Sequence, residues 1–174
     1  TVNIFGFLQG FVVAKYLGPA QYGILKLLDM IPQLSKYGDL GFIGVTRREI
    51  PYHIGAGNLN QVKLTRDVCY SSELILAMSL TSIGISLIYF YTDTIIVTGI
   101  ISYSIILLLQ KLMKIIQNES IIQKNFQVLS KTILVAGIIS SLGIIITVPF
   151  IGIFSLFIVT PLSIVITIFY LRRE

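Results

Sequence analysis

Charge is scarce in this chain: 12% of its 174 residues are Asp, Glu, Lys or Arg and 55% are hydrophobic, where an ordinary soluble domain carries about 25% charged residues. Together with a mean hydropathy of +0.88, that balance reads as a membrane protein. Cysteine is scarcer still. Cys69 stands alone, so neither an internal disulfide nor a cysteine-based zinc site can form, and it is read as a small apolar residue at a helix start. His53 is the one histidine and is read as a solvated loop side chain ahead of a ligand or proton relay. The chain lacks a Walker A phosphate loop and any HExxH or Cys/His cluster, so it is expected to use no ATP, no metal and no other cofactor. No constellation that carries chemistry is present, and an enzyme is rejected as the leading class.

Long apolar runs are what the sequence has instead. Six recur, at about 2–17, 22–45, 68–91, 94–112, 132–148 and 152–171, each near the roughly 20 residues that cross a bilayer as a helix. The expected fold is therefore an all-α membrane protein, a six-transmembrane-helix bundle over residues 1–174. Gly6, Gly10 and Ala14 make a small-residue strip for close helix packing, and Gly18-Pro19-Ala20-Gln21 turns the chain into the second span. Pro149 and Gly152 divide the last long run into a tight helical hairpin, and Pro161 is expected to kink the sixth span.

Two polar segments separate these spans. Residues 46–67 read as a polar loop, with room for a short helix and with Pro51, Gly55 and Gly57 as breakers, and 111–131 as a helix extension plus an amphipathic piece at a basic membrane surface. The formal charge of +5 tells less by its sum, which does not point to nucleic acid, than by its placement. Arg47, Arg48, Lys63 and Arg66 lie in the first segment, Lys111, Lys114, Lys124 and Lys131 in the second, and Arg172 and Arg173 at the end. In the six-span arrangement all of them fall on one side, assigned as cytoplasmic together with the N-terminus. The chain begins at Thr1 inside an apolar run and ends directly after another, so a fragment of a longer protein is expected. The first run has no basic n-region, so it is not a cleavable signal peptide by pattern.

The second run is the unusual one. Tyr22 to Val45 is apolar and long enough to span, yet it contains Lys26, Asp29, Lys36 and Asp39. At about 100° per residue, Tyr22, Lys26, Asp29, Gln33 and Lys36 fall within an arc of roughly 80°, which Arg47 extends if the helix continues. One apolar face and one charged stripe at spanning length read as a helix lining a polar cavity between other helices. Lys26, Asp29 and Lys36 are read first as cavity lining and second as structural pairs, with Asp29 and Asp39 each three residues from a lysine. Arg47 and Arg48 are read first as topology-setting charge and second as ligand contacts. Lys15 snorkels to the interface, Asp39 serves the local turn or packing, and Glu73 sits at the start of span three, where the helix dipole favours an acid.

From Ala14 to Gly57 the sequence carries Leu17-Gly18-Pro19 and Tyr22-Gly23 after the first span, Asp39-Leu40-Gly41 near the end of the second, and then Arg47 or Arg48. In order and spacing these resemble the opening of Wzx-type polysaccharide and O-antigen flippases of the multidrug/oligosaccharidyl-lipid/polysaccharide exporter superfamily. Spans three to six carry no comparable motif. The resemblance implies one half of a twelve-or-more-helix, two-bundle exporter of the bacterial or archaeal inner membrane. Its partners would be a lipid-linked oligosaccharide (a polyprenyl pyrophosphate glycan), membrane lipid and the missing C-terminal half of the same protein.

A flippase needs a hydrated, cationic cavity to pass a pyrophosphate and a glycan, for which Lys26, Lys36, Arg47 and Arg48 are the candidates, with Asp29 and Gln33 on the same wall. The alternatives are a cation-coupled multidrug exporter of the same superfamily, an integral membrane polyprenyl-phosphate transferase, which needs a clustered acidic loop for Mg²⁺, and a structural membrane subunit. Residues 46–67 offer only Glu49 and Asp67, which weighs against the transferase.

Overall fold

The computed structural model describes residues 2–37 and 41–173, with side chains described for 5–33 and 41–170. Within that range the chain is all-helical: α1 (Val2–Tyr37), α2 (Phe42–Gly55), α3 (Leu59–Ser86), which runs on into a 3₁₀ turn at Leu87–Phe90, α4 (Thr94–Ile122), α5 (Phe126–Ile151) and α6 (Phe154–Arg173). Three of the helical stretches are long and apolar enough to cross a membrane, Leu59–Phe90, Thr94–Ile122 and Phe126–Ile151, and α6 contributes a shorter apolar stretch, Phe154–Tyr170. These three helices point to a membrane location.

The break in α1 follows from two residues. Gly18 takes φ 70° and ψ 170°, a backbone region open essentially to glycine alone, and Pro19 begins the next helical stretch, where its missing N–H costs nothing. A straight helix would hold Gln9 and Asp29 about 30 Å apart, yet both line one cleft, so the two halves of α1 fold back on each other at Gly18.

The expected span from Tyr22 to Val45 is not one helix. Helix α1 ends at Tyr37, Gly41 is left-handed at φ 80°, and α2 starts afresh at Phe42. The segment 46–67, expected as a loop, is almost wholly helical: Pro51 sits inside α2, and α3 begins at Leu59. Only a tight turn separates them, closed by Gly57 N–H to Ile54 O at 3.1 Å and Asn58 N–H to His53 O at 2.9 Å, the paired bonds of a Schellman ending. The same ending closes α4. There Lys124 N–H bonds Ile121 O at 3.0 Å and Asn125 N–H bonds Ser120 O at 2.9 Å, with Lys124 itself left-handed at φ 58°. Asp93 caps the start of α4, accepting from Ile95 N–H at 3.0 Å.

Helix α4 is the axis of the bundle, with α1, α5 and α6 on one side and α2 and α3 on the other. Its first face buries Ile100, Tyr103 and Ile106 against Leu28, Ile144 and Phe157. Gly99 permits that approach, because a Cβ there would collide with Leu28. Helix α6 stays helical through Pro161. Proline cannot donate to the carbonyl four residues back, and Ser102 Oγ of α4 donates to that carbonyl, Phe157 O, at 2.7 Å instead.

The surface is apolar where a soluble protein is polar. Ile75, Met78, Ile146, Ile158, Leu162 and Phe169 are exposed, while Ser104, Ser155, Thr132 and Thr167 are buried. Small polar residues inside and large aliphatics outside are the distribution of helices packed in lipid.

The positive-φ positions Gly18 and Lys124 respond oppositely to substitution. Gly18→Ala is expected to lower stability by about 1–3 kcal/mol through backbone strain alone, since the space around a Cβ there is open. Lys124→Gly is expected to raise it by roughly 1 kcal/mol. Paired thermal unfolding in one detergent checks both signs.

A polar cleft between α1, α4, α5 and α6

Where the folded halves of α1 meet α4, α5 and α6, a cleft of about 240 Å³ opens. Lys26 and Asp29 share one wall because positions three apart lie on one helix face. Lys26 Nζ is 3.2 Å from Asp29 Oδ2 and 5.2 Å from the centre of the Tyr22 ring. The other carboxylate oxygen, Oδ1, accepts from the Tyr103 hydroxyl at 2.6 Å. Both oxygens of Asp29 are thus engaged, and its side chain is 29% exposed against 56% for Lys26. Tyr103 is held by its own burial and by an edge-on contact with Phe157, ring centres 6.2 Å apart, so it ties the charged wall of α1 to the central helix. Gln9, Gln110, Ser140 and Thr160 complete the polar lining, over an apolar floor that includes Val13 and Ile144.

The other expected site residues lie elsewhere. Gln33 is exposed and outside the cleft lining. Lys36 belongs to α1, but its side chain, like the whole of Asp39, falls outside the described residues. Arg47 does not extend the stripe, because the left-handed Gly41 starts a new helix and turns it toward α4. There Arg47 Nε donates to Asn118 Oδ1 at 2.8 Å.

Asn118 is fully buried and donates in turn to Thr46 Oγ1 at 2.8 Å and to the Tyr70 hydroxyl at 3.0 Å. The network closes on Glu119, which accepts from Tyr70 at 2.7 Å and from Arg66 Nη2 at 3.1 Å. Arg48 bonds its neighbour Glu49 at 2.9 Å and remains exposed.

A third polar group was expected in two other places. Glu73 is in the middle of α3 and not at its start, and Lys111 is on the buried face of α4 and not in a basic loop. They form an ion pair at 3.1 Å with side chains 1% and 6% exposed, and Glu73 Oε1 has no hydrogen-bond partner among the described residues. Cys69 is likewise buried within α3, ten residues past its first residue.

The residues that the stripe did not reveal are Tyr103, Gln110, Thr160 and Asn118. Each is an uncharged polar side chain in an Ile-rich helix, and Tyr103 and Gln110 are seven apart, two turns on one face. That spacing was the available signal. Among the described residues no group of three His, Cys, Asp or Glu side chains is placed to hold a metal ion. What the cleft offers a ligand is a matched charge pair, two amides, hydroxyls and a phenol ring.

Removing Lys111 strands the buried Glu73 carboxylate, whose Oε1 already has no hydrogen-bond partner among the described residues. Lys111→Met alone is expected to destabilise by about 3–5 kcal/mol. The double variant Glu73→Leu/Lys111→Met, which buries no charge, is expected to recover most of that loss, as read from detergent-solubilised unfolding curves. No family model, curated protein or solved structure matches this chain.

Proposed function

We propose that the chain is the N-terminal six-helix half of an alternating-access flippase for a lipid-linked oligosaccharide, without nucleotide hydrolysis or catalytic chemistry of its own. The observation that carries this reading is the cleft itself: Lys26, Asp29 and Tyr103 meet in a polar recess among helices whose outer surface is aliphatic. Ionisable groups at membrane depth are costly and belong to pathways for polar cargo. On this reading the six crossings are the two halves of α1 together with α3, α4, α5 and α6. The basic α2, with Arg48 facing outward, lies at the cytoplasmic surface of an inner membrane, the N-terminus is on the same side, and a second bundle supplies the facing wall. Arg47 then acts as a brace between α2 and α4 through Asn118.

A second reading, a cation-coupled exporter of the same superfamily, draws support from Asp29 being the more sequestered charge of the pair. The two separate in proteoliposomes holding the full-length protein. For the flippase, Lys26→Ala and Asp29→Asn are each expected to slow translocation of extracted lipid-linked oligosaccharide at least tenfold, with no dependence on a dye substrate. Wild-type translocation by both variants, inserted in normal amount, contradicts the proposal. Gradient-driven dye efflux without glycan translocation favours the exporter.

A further inference from the structure

The cleft has a neighbour. A groove of about 290 Å³ between α4, α5 and α6 shares Gln110, Ser140 and Thr160 with it and continues past Met113 to Ser163 and Thr167. Together the two reach the size range of small-molecule sites, about 300–1,000 Å³.

The chemistry of the joined walls is uneven in an informative way. Their only ionised groups among the described residues are Lys26 and Asp29, which neutralise each other. An added dianion would have to compete with the Asp29 carboxylate for Lys26. By contrast, Gln9, Gln110, Ser140 and Thr160 carry side chains with no hydrogen bond to any described residue, so their donors and acceptors face the cavity unspent. Ser163 and Thr167 donate to carbonyls of the preceding turn, Thr160 O at 2.8 Å and Ser163 O at 2.7 Å, which leaves their lone pairs as acceptors. Between these polar points the surface is aliphatic, with Ile144, Leu156 and Ile164. Free hydroxyls and amides around an apolar floor fit a ring that has C–H faces and O–H edges and no net charge.

We infer that the cleft and groove form one subsite for an uncharged, polyhydroxylated ring, the sugar portion of the carried lipid, and that they do not hold its pyrophosphate. This rests on the flippase reading, since it assigns a part of that cargo to this wall. Gln110, at the junction of the two cavities, is the residue on which sugar binding depends most. Lys26 and Asp29 act in it as a neutral polar pair.

Native mass spectrometry of the full-length protein in nanodiscs tests this with two probes: the polyprenyl-pyrophosphate-linked oligosaccharide pool extracted from the producing cells, and polyprenyl pyrophosphate without sugar. Gln110→Ala/Thr160→Val is expected to weaken the sugar-bearing lipid at least tenfold and to leave the sugarless one within twofold. Gln110→Asn, which keeps the amide, is expected to lose less. Should the double variant not fold, Gln110→Ala alone, at an exposed position, gives the same comparison. Equal weakening of both probes, or of neither, overturns the subsite while leaving the flippase reading standing. Failure of the wild-type protein to bind either lipid removes both.

Discussion

In hydrocarbon, a polar group must be satisfied by the protein or by water the protein admits, and where this chain meets that demand between helices it does so largely at α4. One face of the helix carries Ser104, Lys111 and Asn118 toward α2 and α3, and the opposite face carries Ser102, Tyr103 and Gln110 toward α1, α5 and α6. Glu73 finds Lys111, Arg47 finds Asn118, and the carbonyl freed by Pro161 finds Ser102. The remaining surface is left to aliphatic side chains. Remove α4 and the polar groups of both flanking sets lose their partners together.

The two faces of that helix differ in consequence. Toward α2 and α3 the polar groups are buried and largely paired, as in the network where Asn118 joins Thr46 and Arg47 of α2 to Tyr70 of α3, and such a network braces helices against each other. Toward α1, α5 and α6, Ser102 and Tyr103 are buried and paired, but Gln9, Gln110, Ser140 and Thr160 are half-buried or exposed along the cleft, which leaves room and hydrogen-bonding capacity for a ligand. A rigid half beside an open half is what a wall of an alternating cavity requires, since the cargo must meet groups that are positioned yet not already engaged.

The all-helical class was legible from apolar runs alone, and so was the Lys26–Asp29 pair, because an i, i+3 spacing of opposite charges reads directly as proximity on a helix. Helix ends were less legible. Residues 46–67 have loop-like composition, yet Pro51 sits inside α2 and only Gly57 and its neighbours turn, because capping bonds and not polarity decide where a helix stops. The continuity of the charged stripe failed for the same reason: Gly41 is left-handed, α2 starts afresh after it, and Arg47 meets Asn118. Glu73 and Lys111 are 38 residues apart in sequence, and only tertiary packing brings them together, so no periodicity could have paired them. Tyr103 and Gln110 were hidden because uncharged polar residues barely alter the hydropathy of an isoleucine-rich helix.

The central claim is that water reaches the cleft between α1, α4, α5 and α6 while the outer faces of those helices meet lipid. Site-directed thiol labelling measures it directly. In a Cys69→Ala background, Q110C in the cleft and I146C on the outer face of α5 are labelled in native membranes with a membrane-impermeant, water-soluble maleimide, which reacts only where a thiolate can form. Fast labelling of Q110C from at least one side of the membrane, with I146C inert until detergent is added, is the predicted result. Equal labelling of the two positions, or reaction at I146C alone, contradicts the account.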